Sequence, residues 1–194
     1  VNKDGTPQLP VMPYLNYAKA DPDDIQAVIA YLRSLDPIEN TIPKAEPDFP
    51  MSIILHTIPQ KSEPGSIPDN SDLVAYGAYM ITIAACADCH TNEINGKKVG
   101  LPYAGGREFQ MPDGSLLRVA NITPHETGIG RWSEEQFKRR FKHYVDSTYT
   151  LPSVNPGEFQ TIMPWMMYAG MEEYDLKAIY HYLRSLEPAE NRVT

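Results

Sequence analysis

Two cysteines three residues apart, with a histidine directly after them, constrain this 194-residue chain more than any other feature. The run is Cys86-Ala87-Asp88-Cys89-His90, and it holds the only cysteines, so a disulfide framework is excluded. Two thiols at this spacing can each bond to one vinyl group of the same porphyrin. The imidazole that follows then meets the iron from the proximal side. The competing chemistries are weaker. A zinc site needs four ligands, commonly from a second Cys or His pair at short spacing. Here His56, His125, His143 and His181 are scattered singly. A dithiol redox motif calls for a βαβ setting that the surrounding sequence does not show. The motif therefore implies one covalently bound haem c, attached through Cys86 and Cys89, with His90 on the iron.

The flanking sequence reads as helix and irregular loop. Leu73, Tyr76, Met80, Ile83 and Ala84 recur at helical spacing up to the first cysteine. Ser71 is the expected cap, with Asn70 competing. Eighteen prolines beside twelve glycines predict stiff, irregular connections between short helices rather than a continuous sheet. Ser133 and Gln136 have the spacing of a capping box for a helix carrying Phe137, Phe141 and Tyr144. A formal charge of −8 gives no basic stripe, so nucleic acid is excluded as a general partner. An acidic surface fits docking to a basic protein, and equally fits plain solubility. No apolar run reaches the roughly 18–20 residues that cross a bilayer. The longest candidate, Met51 to Ile58, is short and contains His56. No apolar core of an export signal follows Val1-Asn2-Lys3-Asp4, so a signal is expected to have been removed or to belong to a longer parent.

The chain also repeats itself at an offset of 151 residues. Met12-Pro13-Tyr14 aligns with Met163-Pro164-Trp165, and Tyr31-Leu32-Arg33-Ser34-Leu35 recurs as Tyr182-Leu183-Arg184-Ser185-Leu186. Over residues 12–40, 14 of 29 positions are identical without a gap, which is duplication. Each copy carries a helical apolar stripe: Ile25, Val28, Ile29, Leu32 and Leu35 in one, Leu176, Ile179, Tyr180, Leu183 and Leu186 in the other. Asp24 and Asp175 fall in the first turns, where the helix dipole favours negative charge, and Pro37 and Pro188 follow the ends. The first copy of the cysteine motif would precede residue 1. Residues 1–41 are accordingly expected to be the C-terminal part of a first domain, 42–69 a Pro-rich linker and 70–194 a complete domain. Within the linker, Met51 to Leu55 is expected either to lie against a domain or to form a short strand. A second haem is expected in a longer parent protein.

A low-spin electron carrier needs a second axial ligand, commonly Met or His. Met163 is the preferred candidate. Its Met-Pro-Trp element is stiffened by proline, it lies just before the terminal helix and far from His90, and its counterpart Met12 is retained. Met166, Met167 and Met171 become Leu15, Asn16 and Ala20 in the first copy. Met111 and His143 are the remaining candidates.

With these residues in view, the chain resembles the bacterial multi-haem cytochrome c subunits built from tandem class I domains, such as those of membrane-bound alcohol and gluconate dehydrogenases. The matching pieces, besides the cysteine motif, are Ala104-Gly105-Gly106-Arg107, Asn121-Ile122-Thr123-Pro124, the run Thr127 to Ser133 and the terminal Tyr182 to Leu186. The resemblance covers residues 70–192 well and residues 8–41 as a partial copy. It implies an all-α class I cytochrome c domain with long irregular loops, preceded by the C-terminal part of a second such domain. It also implies Met163 as distal ligand, Met12 in that role for a first-domain haem, and a place in the periplasm or on the outer face of the cytoplasmic membrane. The implied partners are redox proteins (a dehydrogenase, a respiratory complex or an oxidase), with membrane attachment through partners or through an anchor outside this sequence.

The same segments have a reading of their own. Gly105-Gly106 and Gly128-x-Gly130 are expected to let backbone approach the porphyrin or to take positive φ. Gly77 is expected to let the first helix cross the terminal helix near Tyr182. Arg131 and Trp132 are candidates either for a haem propionate or for a structural role. Electron transfer without a catalytic residue is the expected function. A haem enzyme with an open distal position, such as a peroxidase or a sulfur-compound oxidase, is the alternative, and it would need an acid–base residue nearby.

Overall fold

The computed structural model describes residues 2–3, 5–9, 12–43, 45–59, 63–145, 149–150, 153–155, 158 and 161–193. The chain divides into two compact units, residues 1–67 and 68–194.

In the first unit, α1 (Tyr14–Tyr17) leads through a tight turn into α2 (Pro22–Ser34). Asp21 caps α2 by accepting from the Asp23 N–H at 2.9 Å, and Pro22 occupies the first turn, where no donor is missed. The second carboxylate oxygen of Asp21 accepts from the Ile67 N–H at 3.1 Å, bringing residues 65–67 back onto the start of α2. Met51 to Ile54 forms a short helix, α3, continued by a 3₁₀ turn over Leu55–Thr57. The strand expected as one alternative for this segment is not formed. The carbonyls of Asp48 and Pro50 accept the N–H groups of Ser52, Ile53 and Ile54, which curls the apolar run into a turn and buries Leu55.

The second unit holds α4 (Leu73–Ile83), α5 (Cys86–His90), α6 (Glu134–Lys142), α7 (Trp165–Tyr168) and α8 (Glu173–Ser185). The cap of α4 is Asp72, not Ser71 or Asn70. Its carboxylate accepts from Val74 and Ala75 at 3.1 and 3.0 Å, and a charged acceptor at the helix start also meets the dipole favourably. α4 lies on α8, and Gly77 makes the crossing possible as expected. A Cβ there would collide with the Ala178 carbonyl oxygen and stand 2.9 Å from Tyr182 Cβ. Tyr76 fastens the pair by donating to Asp175 at 2.9 Å. Ile81, Tyr103, Ile129, Phe137, Ile179 and Leu183 form the core. The expected capping box starts α6: Ser133 Oγ accepts from Gln136 N, and Gln136 Oε1 accepts from Ser133 N.

Two small hairpins depart from the all-α expectation. β1 (Glu93–Ile94) pairs with β2 (Lys97–Lys98), and β3 (Glu108–Gln110) pairs with β4 (Leu116–Arg118), both antiparallel. Their turns are Asn95-Gly96, with both φ positive, and Pro112-Asp113-Gly114. Asn-Gly and Asp-Gly are strong local hairpin signals, and they override the helical reading of the whole.

The 151-residue repeat is a repeat of conformation. α1 and α7 match in length at that offset, as do α2 and α8. Pro13 (φ −77°, ψ 51°) mirrors Pro164 (φ −78°, ψ 63°) before the short helices. Asp21 (φ −61°, ψ 137°) mirrors Glu172 (φ −63°, ψ 150°) before the long ones.

Candidate functional site

The site begins where α4 stops. Ala85 takes a left-handed conformation (φ 56°), which ends one helix and re-aims the chain into α5. Cys86, Cys89 and His90 then share the five residues of that short helix. Both thiols are free. Burial pushes the Cys86 thiol up to about 12, with the neighbouring Cys89 adding to it. Burial likewise raises Cys89, against the pull of Arg107. A dithiol catalyst needs the opposite, a thiolate favoured by positive surroundings. Among the described residues no group of three or more His, Cys, Asp or Glu is placed to hold a metal ion.

The His90 ring is oriented through Nδ1, the nitrogen nearer its backbone. Nδ1 lies 2.8 Å from the main-chain carbonyl of Ala120. A carbonyl oxygen only accepts, so Nδ1 carries the proton and Nε2 keeps its lone pair. This is the arrangement by which metal-ligating histidines are oriented. Burial also holds the imidazole towards its neutral form.

The loop that presents Ala120 is itself held by buried polar groups that the sequence reading gave no role. Asn121 donates to the Ala189 carbonyl at 2.8 Å and to Thr127 Oγ1 at 3.1 Å. Its Oδ1 accepts from Thr123 N and Thr123 Oγ1 at 2.9 and 2.8 Å. Asn191 closes the assembly by donating to the Ala104 carbonyl at 2.9 Å. On the other side, Gly105 N–H donates to the His90 carbonyl at 2.7 Å. Gly105 has a positive φ of 74°, and a Cβ would sit 2.5 Å from the backbone of Ala120 and Asn121. Arg107 donates to the carbonyl of Asp88 in the middle of α5 and pairs with Glu93.

Gly128 and Gly130 do not take the positive φ that was one of the two roles expected of them. They are crowded by the backbone of Thr123 and His125, so they let residues 123–130 fold tightly on themselves. Arg131 pairs with Glu126 at 2.7 Å, and the Trp132 main-chain carbonyl accepts from Tyr180 Oη at 2.8 Å.

Met163 is half-buried just before α7, its N–H donating to Thr161 Oγ1 at 3.1 Å. The link from α7 to the cysteine helix is Tyr168, whose hydroxyl donates at 2.7 Å to the carbonyl of Ala84, two residues before Cys86. Lys142, at the end of α6, donates to the carbonyls of Ala169 and Met171 and pins the chain leaving α7. Met171, rather than Met163, packs against the core cluster that takes in Cys86. Met111 sits in the β3–β4 turn, and His143 follows α6 with its ring edge-on to Tyr144 and Tyr149. Met12 lies in the first unit and is exposed.

The donor set fits a haem c: two free thiols and an oriented neutral imidazole on one short helix. One further observation agrees. Among the described residues, Trp165 Nε1 is a buried donor with no acceptor, two residues after Met163. Arg140 stands 4.3 Å over the same indole ring. A hydrogen-bond acceptor is what this N–H lacks.

Comparison with known proteins agrees with the geometry. The Cytochrome c family profile matches residues 74–187. The gluconate 2-dehydrogenase cytochrome c subunit of Pantoea cypripedii is 33% identical over 114 residues, covering 58% of this chain and 23% of that protein. The fructose dehydrogenase cytochrome subunit of Gluconobacter japonicus is 30% identical over 125 residues, covering 64% and 23%. The cytochrome c subunit of the quinone alcohol dehydrogenase of Gluconacetobacter polyoxogenes is 34% identical over 119 residues, covering 59% and 22%. The match thus spans less than a quarter of each of these relatives. No helix among the described residues is long and apolar enough to cross a membrane.

Proposed function

The chain belongs to the cytochrome c family, and from that premise we propose that it carries electrons through one haem c as the cytochrome module of a dehydrogenase complex. The observation that carries this reading is the His90–Ala120 hydrogen bond beside two free thiols. Cys86 and Cys89 would hold the group through thioethers, and His90 Nε2 and the Met163 sulfur would be its iron ligands. Met163 precedes a short helix begun at Pro164 and tied down by Tyr168 and Lys142. A haem iron closed by two protein ligands supplies one-electron oxidation and reduction, and a methionine ligand raises its potential. The Asn121 assembly would keep the imidazole from turning, and the Trp165 N–H, with Arg140 over its ring, would serve an anionic group of the cofactor.

The names of the relatives point to a dehydrogenase as redox partner, and we take a respiratory complex or an oxidase as the partner that receives the electrons. We place the work in the periplasm or on the outer face of the cytoplasmic membrane, where such attachment is made.

The test is the visible spectrum of the reduced, haem-loaded protein with and without carbon monoxide. A spectrum unmoved by carbon monoxide supports two protein ligands. Met163→Leu should then become sensitive to the gas, while Met111→Leu and His143→Ala should not. A wild-type protein that binds carbon monoxide readily would overturn electron transfer by a closed iron and restore the enzyme alternative.

A further inference from the structure

His125 stands alone in the sequence, but its ring is built into the assembly that holds Ala120. Its main chain is pinned first. The His125 carbonyl accepts from Gly128 N and Gly130 N at 2.9 and 2.8 Å. Gly130 lets this turn close, since a Cβ there would meet the His125 carbonyl group at 2.6 Å. The ring then lies on Thr127, with Nδ1 2.9 Å from Oγ1 and 3.2 Å from the Thr127 main-chain nitrogen.

Proton counting fixes the direction of each bond. A threonine hydroxyl has one proton and two lone pairs. The Asn191 N–H, which can only donate, takes one lone pair of Thr127 Oγ1 at 3.0 Å. Asn121 Nδ2 takes the other at 3.1 Å, and that amide is itself oriented by the Ala189 carbonyl and the Thr123 N–H. The hydroxyl proton is left for His125 Nδ1. The Thr127 N–H is a second donor aimed at the same nitrogen, so Nδ1 is an unprotonated acceptor and the ring proton sits on Nε2. His90 and His125 thus carry their protons on opposite nitrogens. A proton on His125 Nδ1 would face two donors and leave the Thr127 hydroxyl without its acceptor. The carboxylate beside the ring is that of Glu126, which also feels Arg131 and Arg192 and is paired with Arg131 at 2.7 Å.

We propose that neutral His125 is a positioning residue for His90, acting through Thr127 and Asn121 on the Ala120 carbonyl, and that protonation of its ring releases this hold. The consequence for iron ligation rests on the electron-transfer reading. The tautomer and the hydrogen bonds do not.

Nitrogen NMR and amide exchange of the reduced, haem-loaded protein test it from about pH 8 down to about pH 5, the range in which histidine side chains change charge. At the alkaline end, His125 Nδ1 should give the signal of an unprotonated ring nitrogen, and the Thr127 and Asn191 amides should be protected. On acidification their protection factors, which already allow for the intrinsic effect of pH on exchange, should fall about tenfold, roughly the loss of one hydrogen bond. The His90 Nδ1–H should exchange faster with water over the same range. His125→Asn keeps an acceptor oxygen towards Thr127 at every pH, so its protection should stay high and flat. His125→Leu has no acceptor, so its protection should be low and flat.

A proton on Nδ1 at the alkaline end, a flat wild-type profile, or an Asn variant that follows the wild-type profile overturns the proposal. So does a response at Thr127 that leaves the His90 ring unmoved. The tautomer, the amides and the His90 ring proton can all be read in chain that lacks haem. A failure to bind haem would therefore sink the electron-transfer reading and leave this test standing.

Discussion

The imidazole of His90 and the main-chain carbonyl of Ala120, 2.8 Å apart, fix which ring nitrogen carries the proton. The hydrogen bond uses Nδ1–H and leaves the lone pair of Nε2 available to a ligand. Because the acceptor is backbone, its position depends on what holds the loop, and that is the buried side chain of Asn121.

Asn121→Ala should therefore act on both stability and the site. It removes donors to Ala189 and Thr127 and the acceptor shared by Thr123 N and Oγ1, leaving buried groups unpaired. The expected loss is about 2–4 kcal/mol, from roughly 1–3 kcal/mol for each buried polar group left unsatisfied. A thermal melt reads the stability, and the proton resonances of the His90 ring read the loosened orientation. Wild-type values for both would show that Ala120 is held by something else.

Gly77→Ala should be among the most damaging single changes in the second unit. The added methyl meets the Ala178 carbonyl and lies close to Tyr182, so α4 and α8 must separate. Overpacking of this kind costs about 1–3 kcal/mol and more where backbone is struck. Circular dichroism melts should show the loss, and an unchanged melting temperature would mean that the helices cross elsewhere.

Lys142→Met should loosen the distal side without touching the thiols. Its ammonium donates to the carbonyls of Ala169 and Met171, just after α7. Losing a charged donor to two carbonyls costs about 1–3 kcal/mol. If Met163 is the sixth ligand, the reduced protein should also become more sensitive to carbon monoxide. Sensitivity equal to wild type would separate Lys142 from the placement of Met163.

Acid should release the start of α2. The Asp21 carboxyl is held below the usual carboxylate range by the N–H groups of Asp23 and then Ile67. A depressed folded-state pKa contributes stability that is present above the unfolded value and lost as pH falls through the folded one. The Asp23 and Ile67 amides should therefore lose protection on acidification through that range, and Asp21→Asn should flatten the response. An unchanged pH dependence in Asp21→Asn would contradict the assignment.

The parts of this structure legible in the sequence are those with strong local causes. The helix before the cysteines, the Ser133–Gln136 box, the Gly77 crossing and the repeated terminal helix all follow from periodicity, capping and the need for close approach. The two hairpins escaped the all-helical reading because a global judgement outweighed the local Asn95-Gly96 and Asp113-Gly114 signals. The Asp72 cap was missed by one residue because four polar residues in a row, Asp69 to Asp72, offer equivalent side chains. Cys86, Cys89 and His90 are drawn from spacing, and the structure sets all three on one short helix. The Ala120 carbonyl could not be found that way, since a backbone acceptor has no sequence signature, and Asn121 shows its importance only once Thr123, Thr127 and Ala189 fold around it.

Covalent attachment of a haem through Cys86 and Cys89 is tested most directly by the mass and haem stain of the denatured 194-residue chain, produced in a periplasm competent for haem attachment. One haem per chain should survive denaturation and acid–acetone extraction and be lost in the Cys86→Ser, Cys89→Ser double variant. A denatured chain of bare polypeptide mass, with both thiols still free, would contradict it.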